Sequence, residues 1–376
     1  MALLRRIAAF ICGIAIPALT LGDPHPRGTG LPDIIEPTDN AFTVGKAVLG
    51  EKLFFDERLS ASGTISCASC HQPRRAFSDG LEKSIGTAGQ IGTRNAPSLL
   101  NAAFMTTQFW DGRRSSLEAQ VLDPFLNSKE HGLASTAQLR NIIERDPTYV
   151  AMFAAAFGGG EETISANSIS KALACYVRSL ARGGSRFDRY YYEGDQHALN
   201  ASAQRGLALF VGRAQCVTCH QIGQSNATFS DQQFHGLHIG IERIENRLPD
   251  ITVRVVAARK NEQSIDSAAL GDPDLAELGR FLVTLKPTDI GQFRTPSLRN
   301  VAVTAPYMHD GSVATLAQAI DQELYYRSTQ SNRPVILTPA EKQDLLQFLL
   351  GLTSDSTGTT HTTDTAAFLG QQPLKP

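Results

Sequence analysis

Two short strings in the chain place a pair of cysteines directly before a histidine, in the form Cys-x-x-Cys-His. They are Cys67, Cys70 and His71 in the first string, and Cys216, Cys219 and His220 in the second. Cysteine pairs also form disulfide frameworks, thioredoxin-like redox pairs and zinc sites. A chain of 376 residues does not need disulfide staples, zinc requires four ligands close together, and none of these uses explains the same five-residue pattern twice. The strings instead predict two covalent c-type haems, with the thiols joined to the haem vinyl groups and each histidine bound to iron.

The first 22 residues have a basic start, an apolar stretch and then small residues. This order is typical of a signal peptide, and Pro17 breaks an apolar run that is already short for a membrane span. The whole chain has 35 basic and 37 acidic residues, and loss of Arg5 and Arg6 with this segment leaves 33 and 37. We therefore predict that the chain is exported, with no membrane anchor and no nucleic-acid partner.

The chain contains an internal duplication. NAPSLLNAAF (95–104) is followed by Trp-Asp-Gly at Trp110, and RTPSLRNVAV (294–303) is followed by His-Asp-Gly at His309. The distance from the shared Pro-Ser-Leu to the Asp-Gly unit is the same in both copies. In addition, GEKLFF before the first Cys-x-x-Cys-His string is echoed by GLALFV before the second. A tandem repeat of one haem-binding domain accounts for these matches.

The repeat predicts a mainly α fold of two tandem c-type cytochrome domains, each wrapping one covalent haem. We place the domains at 37–192 and 193–353, with a tail at 354–376. Helical signals dominate, because apolar residues recur at spacings of three and four. The clearest examples are TAQLRNIIERD, ISANSISKALACYVRSLAR, SAQRGLALFV, ATLAQAIDQELYYR and TPAEKQDLLQFLLGLT.

The combination of motifs resembles a known family. The two haem strings occur in order with TRNAPSL, FWDGR and TPSLRNVAVTAPYMHDGS, and together they resemble the bacterial dihaem cytochrome c peroxidases and their MauG-type relatives. The resemblance covers nearly the whole mature chain. It implies a periplasmic enzyme whose N-terminal haem reacts with hydrogen peroxide and whose C-terminal haem passes electrons.

The resemblance also assigns candidate catalytic residues. Peroxide cleavage needs a group that moves a proton between the two peroxide oxygens, and Glu130 and Gln120 match the family's pair for this task. Pro124 would fill the pocket without binding iron. Trp110, the only tryptophan, matches the family's aromatic bridge between the haems, although a lone tryptophan is by default a core anchor. Without the resemblance, Glu130 and Gln120 would be read as a solvated acid and amide at a helix end.

Other polar residues match family positions near the haems. Asn95, Thr304 and Pro306 resemble the positions that bind a calcium ion between the domains, and a polar domain contact is the alternative. His235 and His309 are expected near the second haem without binding its iron. No role is assigned to His238. Three arginines would pair either with haem propionates or in ordinary salt bridges: Arg94, Arg113 and Arg294.

Two departures separate the peroxidase subclasses. The ordinary peroxidases carry a histidine at the position of Thr87, which blocks the peroxide haem until the second haem is reduced. Without it, the first haem should be open in the resting enzyme. The family's sixth ligand to the second haem is a Met or, in MauG-type enzymes, a Tyr. The family's ligand lies at a fixed distance after the histidine that corresponds to His309, and the same distance in this chain leads to Glu323. A shift of two or three residues would instead lead to Tyr325 or Tyr326, and Met308, next to His309, is poorly placed.

These observations predict a MauG-like dihaem peroxidase. It would use hydrogen peroxide to oxidise a Trp or Tyr side chain of a periplasmic partner through high-valent haem iron, and a periplasmic copper-binding protein is one such partner that the resemblance implies. The alternatives are peroxide reduction with electrons from a small cytochrome c or cupredoxin, and a dihaem electron carrier. The carrier would have no use for Glu130 and Gln120.

Overall fold

The structure, a computed structural model, describes residues 28–159, 163–260, 271–330 and 334–355. The predicted signal peptide and residues 356–376 of the predicted tail lie outside the described residues. No helix within these ranges is long and apolar enough to cross a membrane.

The fold is mainly helical, as predicted from the apolar periodicity. Its helices are α1 (Val44–Phe55), α2 (Cys67–Cys70), α3 (Leu117–Gln120), α4 (Asp123–Leu126), α5 (Thr136–Glu144), α6 (Pro147–Phe157), α7 (Ala166–Ser179), α8 (Arg186–Tyr191), α9 (Ala201–Val211), α10 (Leu248–Lys260), α11 (Pro273–Ala276), α12 (Phe281–Thr284), α13 (Leu316–Gln330) and α14 (Pro339–Leu350). Two short antiparallel strands pair with Phe234 opposite Arg294, namely β1 (Phe234–Gly236) and β2 (Gln292–Arg294). All five segments singled out for helical periodicity are helices.

The duplication is visible as a repeated pair of crossing helices. In the first half α1 packs on α7, and in the second half α9 packs on α14. The glycine of GEKLFF is Gly50, where a Cβ would overlap the carbonyl oxygen of Ala172. The glycine of GLALFV is Gly206, where a Cβ would overlap that of Asp344. The shared glycine therefore lets the two helices of each pair approach backbone to backbone.

The duplicated Pro-Ser-Leu-x-Asn unit closes each helix pair. Asn101 accepts a hydrogen bond from the backbone N–H of Arg182 at 2.8 Å, just after α7. Asn300 accepts one from the backbone N–H of Ser354 at 2.9 Å, just after α14. Both asparagines are buried and adopt the left-handed backbone conformation, which Asn tolerates better than most residues. Ser354, placed in the tail by sequence, is thus held by the second helix pair.

Each helix pair has its own apolar core, and a third core was not foreseen. The first core is built from α1 and α5 to α7, and the second from α9, α13 and α14. Phe187 of α8, which the predicted boundary at 192/193 assigns to the first domain, packs in the second core. The third core lies in the long segment between β1 and β2, and its buried members are Ile244, Ile251, Val255, Leu275, Leu278, Phe281 and Leu282.

The close crossing at Gly206 gives a stability prediction. In a helix without close neighbours Gly→Ala stabilises by about 1 kcal/mol, but Gly206→Ala should instead destabilise by about 1–3 kcal/mol because its methyl group meets Asp344. Thermal unfolding of the purified protein measures the difference. Gly159→Ala is the matched control, because nothing lies within 4 Å of its Cβ position. A melting temperature for Gly206→Ala at or above that of the unaltered protein would contradict the close approach.

Candidate active site

The two histidines of the Cys-x-x-Cys-His strings are held in the same way. The Nδ1 atom of His71 lies 3.0 Å from the carbonyl oxygen of Phe77, and that of His220 lies 2.9 Å from the carbonyl oxygen of Phe229. A carbonyl only accepts, so Nδ1 carries the proton and Nε2 keeps its lone pair for a metal. Burial lowers the pKa of both imidazoles. Both are therefore neutral and oriented as iron ligands.

The four cysteines of the strings form no disulfide. Among the described residues, groups of three potential metal-ligand atoms occur at Cys219, Asp231 and His235, and at Glu277, His309 and Asp310. Neither group contains both cysteines of one string, as a zinc site built on the motif would require. The structure thus offers no support for the disulfide or zinc interpretations.

One continuous cavity is lined by both strings and by residues of both halves of the chain. Beside the first string, three of its lining residues come from α3, α4 and the turn that follows: Gln120, Pro124 and Glu130. Ser116 caps α3 by accepting a hydrogen bond from Ala119 N–H at 3.1 Å. The turn is closed by His131 N–H, which donates to the carbonyl oxygen of Pro124 at 3.1 Å. All three sequence-predicted residues are brought to the same cavity.

Thr87 contributes no side chain to this cavity. It is buried against the turn that carries Glu130, and its N–H donates to the Glu130 carbonyl oxygen at 2.7 Å. This hydrogen bond holds the loop that contains Thr87 against the backbone of Glu130. Thr87 is not among the residues that line the cavity beside His71.

Trp110 lies on a short hydrogen-bonded path between the two halves. Its Nε1–H donates to the carbonyl oxygen of Asn95 at 3.0 Å, and the Asn95 N–H donates to the carbonyl oxygen of His309 at 2.8 Å. Trp110 and His309 occupy equivalent positions in the repeat. The duplication therefore brings its two matching sites together at the boundary, with Trp110 lining the cavity.

Asp111, next to Trp110, is the centre of a buried ion-pair network that sequence reasoning missed. Its carboxylate lies 2.6 Å from Arg94 and 3.1 Å from Arg113 and is fully buried. Burial by itself raises the pKa of Asp111, but the charges of Arg113 and Arg94 outweigh it and bring the pKa to about 2. Two of the three candidate propionate partners thus form a salt bridge, the alternative considered from the sequence.

Arg294 is the remaining arginine of that set. It is half-buried, yet within the described ranges it has no carboxylate in ion-pair distance, and its Nε has no hydrogen-bond partner. Burial lowers its pKa to about 10. A desolvated cation that lines the cavity is costly unless an anion approaches it, so the site suits a cofactor with negatively charged groups, such as haem propionates.

The second string faces α13. The side chains of this helix that line the cavity include Glu323 but neither Tyr325 nor Tyr326. Tyr326 is buried elsewhere and donates its hydroxyl to Glu242 at 2.6 Å, stacked near His238. Tyr325 is 62% exposed. Of the three sixth-ligand candidates, only Glu323 shares the cavity with His220.

The three calcium candidates also meet at the cavity wall, because Asn95, Thr304 and Pro306 all line it. The side-chain N–H of Asn95 donates to the carbonyl oxygen of Leu81 at 2.8 Å. Its carbonyl end and the backbone oxygens of Thr304 and Pro306 are the donor types that calcium prefers.

Of the two histidines expected near the second string, His235 lies beside Cys219, whereas His309 lies at the boundary with the first half, where its carbonyl oxygen accepts from Asn95 N–H. His235 Nε2 is 2.8 Å from Asp231 and 3.6 Å from the Cys219 sulfur. His309 Nε2 is 2.7 Å from the buried Glu277, and its ring stacks on Phe293. Glu277 escaped the sequence analysis because its segment has no counterpart in the first repeat. Arg243 bridges Glu277 and Asp310, so an arginine supplies the positive charge of that group.

Comparison with known proteins identifies this arrangement. A family model described as di-haem cytochrome c peroxidase matches residues 45–197. Cytochrome-c peroxidase IdrP1 of Denitromonas iodatirespirans is 36% identical over 93% of this chain and 92% of its own length. Methylamine utilization protein MauG of Methylorubrum extorquens is 32% identical over 87% of this chain and 80% of its own.

A solved structure agrees with these relatives. The crystal structure of a MauG-like protein associated with microbial copper homeostasis superposes with a TM-score of 0.70 and 34% identity, covering 88% of this chain and 96% of that one. The fold is that of the di-haem peroxidases, which are oxidoreductases with two haem cofactors. The chain belongs to the di-haem cytochrome c peroxidase family.

The Asp111 network gives a pH-dependent prediction. Asp111→Asn removes the charge that balances two buried arginines and should cost about 3–5 kcal/mol at pH 7. Since the folded-state pKa is depressed from 3.8 to about 2, the ion pair stabilises fully above about pH 3.8 and is lost as the pH falls through 2. The difference in melting temperature between the unaltered protein and Asp111→Asn should therefore become smaller as the pH falls from about 3.8 to about 2.

The control is Asp321→Asn, which removes an exposed ion pair with Lys342 at 2.6 Å. An exposed pair contributes at most about 1 kcal/mol. Equal losses of stability in the two variants would show that the burial of Asp111 carries no special cost.

Proposed function

We propose that the protein is a MauG-like enzyme that uses hydrogen peroxide to oxidise a Trp or Tyr side chain of a partner protein. The observation that carries this proposal is the asymmetry of the cavity. Glu130, Gln120 and Pro124 line it beside the first string, and Thr87 contributes no side chain. Peroxide can therefore bind there next to residues that transfer protons. Haem supplies the redox chemistry when it is bound at His71 and His220.

The chain's own residues handle the protons. Glu130 holds a carboxylate at the cavity wall that takes a proton from one peroxide oxygen and returns it to the other. Gln120 orients peroxide by hydrogen bonding, and Pro124 excludes water without offering a ligand atom. Each hydrogen peroxide takes up two electrons and two protons to give two water molecules. The oxidised partner side chains supply those electrons and protons.

Trp110 connects the two halves of the cavity. Its indole N–H is held by Asn95, whose own N–H is held by His309, so the ring is fixed between the sites. An oxidisable, immobilised indole in this place suits electron transfer between the two haems. The same residue also anchors the boundary, and both roles are compatible.

A second activity is favoured by the identity to cytochrome-c peroxidase IdrP1. In this alternative, two electrons from a small cytochrome c or cupredoxin reduce hydrogen peroxide to water. The same residues would serve the peroxide step, and only the electron source differs. A plain dihaem electron carrier would leave the pairing of Glu130 with Gln120 without a purpose.

The remaining features of the proposal follow from the sequence. Both haems are attached covalently through Cys67 and Cys70 and through Cys216 and Cys219, and residues 1–22 direct the chain to the periplasm. One calcium ion is bound by Asn95, Thr304 and Pro306. Because one structural relative is associated with copper homeostasis, a periplasmic copper-binding protein is the first partner to test.

Replacement of Glu130 by Gln tests the proton-transfer role. The variant keeps the size of the side chain but not its basicity, so the rate of reaction with hydrogen peroxide should fall by about 10²–10⁴-fold, while both haems stay attached. Stopped-flow absorbance with added peroxide measures the rate. Glu144→Gln, at an exposed i,i+4 pair with Arg140, is the matched control. If Glu130→Gln reacts at the unaltered rate, Glu130 has no part in the peroxide step.

The electron source is tested by comparing two electron donors in separate reactions. The protein is given hydrogen peroxide with either reduced small cytochrome c or periplasmic extract from its own source. The MauG-like activity predicts mass shifts on Trp or Tyr residues of one extract protein and only slow oxidation of the cytochrome. Trp110→Phe should reduce the labelling at least tenfold. Rapid cytochrome oxidation without any side-chain modification would instead establish the peroxidase alternative.

A further inference from the structure

One face of α13 lines the cavity beside His220. Its cavity-lining positions recur at helical spacing and are Leu316, Ala319, Ile320, Glu323, Leu324 and Arg327. A stripe with this spacing on the buried side of a helix is normally apolar. Glu323 places a carboxylate in the middle of this stripe.

The Glu323 carboxylate has no partner that offsets its burial. It is half-buried, and within the described part of the chain it makes no hydrogen bond or ion pair. Glu130 and Glu323 are the two carboxylates among the described residues that line the cavity, one beside each string. A carboxylate held out of water needs a cation or donors, and Glu130 already has its task at the first string.

The electrostatics place Glu323 close to His220. Burial lowers the pKa of His220, and the charge of Glu323 is the largest opposing effect. The same charge adds to burial in raising the pKa of Cys216 to about 12. Arg327, one turn further along α13, donates to the carbonyl oxygen of Gln215 at 2.9 Å and to Thr218. Arg327 therefore binds the backbone and a side chain of the second Cys-x-x-Cys-His segment.

Other side chains of the second half that line the same cavity and could bind a metal are engaged. His309 is held by Glu277 at 2.7 Å, and His235 by Asp231 at 2.8 Å. The Tyr307 hydroxyl donates to the carbonyl oxygen of Val301 at 3.0 Å. Met308 is poorly placed, so among the sixth-ligand candidates in the described part of the chain Glu323 is the one that remains.

We propose that the carboxylate of Glu323 is the axial ligand that faces His220 across the second haem iron, in place of the Met or Tyr that the family resemblance implies. The repeat supports this, because Glu323 and Pro124 occupy equivalent positions and both line the cavity. A proline there leaves the first iron open, whereas a glutamate closes the second. An anionic oxygen ligand favours oxidised iron and lowers the reduction potential relative to Met. The proposal rests on the proposed function only in requiring haem at His220.

The test compares full-length holoprotein variants by ferric absorption and electron paramagnetic resonance spectra and by redox titration. Glu323→Gln should change the spectrum of the second haem, and Glu323→Met should raise its midpoint potential. Glu323→Ala should let cyanide bind at both haems, whereas the unaltered protein binds it only at the first. Haem content confirms that every variant remains loaded.

Tyr326→Phe and Met308→Leu are the matched controls, and both should keep the unaltered spectrum and potential. The proposal is overturned if either control changes the second haem while Glu323→Gln does not, or if Glu323→Met leaves the potential unchanged. These outcomes are independent of the peroxide kinetics of Glu130→Gln. A failure here is therefore distinguishable from a failure of the proposed function.

Discussion

The buried carboxylate of Asp111 sets the geometry of the boundary between the two halves. It balances Arg94 and Arg113, and Arg94 also donates at 2.8 Å to the carbonyl oxygen of Ala276, in the segment that carries the third core. Arg280, from the same segment, donates to the backbone oxygens of Asp111 and Gly112. Buried charges cannot separate without a large free-energy cost, so the turn at Trp110 is held rigidly between the first repeat and the second.

That rigid turn lets a duplicated scaffold carry two different sites. The helix crossings at Gly50 and Gly206, the asparagine clamps and the histidine–carbonyl hydrogen bonds are the same in both halves. The side chains that enter the cavity differ. Trp110 is matched by His309, and Pro124 by Glu323. Because these contacts are shared, the two halves differ at the cavity in the side chains that they present to it.

The asymmetry suits a division of labour in which protons and electrons are handled in separate places. On our proposal, Glu130 and Gln120 transfer and orient protons beside the first string, where both line the cavity. On our proposal, Glu323 stabilises the oxidised state of the second haem, so that an oxidising equivalent can be held there until a partner donates an electron. Trp110, clamped through Asn95 and His309, lies at the boundary between the two. No single residue needs to perform both tasks.

The sequence alone determined those features of the protein that depend on motifs and spacings along the chain. The Cys-x-x-Cys-His strings, the repeat and the helical periodicity predicted the class of fold, and the family resemblance pointed to Glu130, Gln120 and Pro124, which line one cavity. Tertiary structure decided what depends on helix phase and on contacts between distant segments. A two-residue shift along α13 turns Tyr325 to the opposite face from Glu323, and Tyr326, three residues on, is drawn away by its hydrogen bond to Glu242. Only the folded structure could therefore separate Glu323 from the two tyrosines. Likewise, the partners of Arg94 and of His309 come from distant segments, and no spacing rule connects residues that only folding brings together.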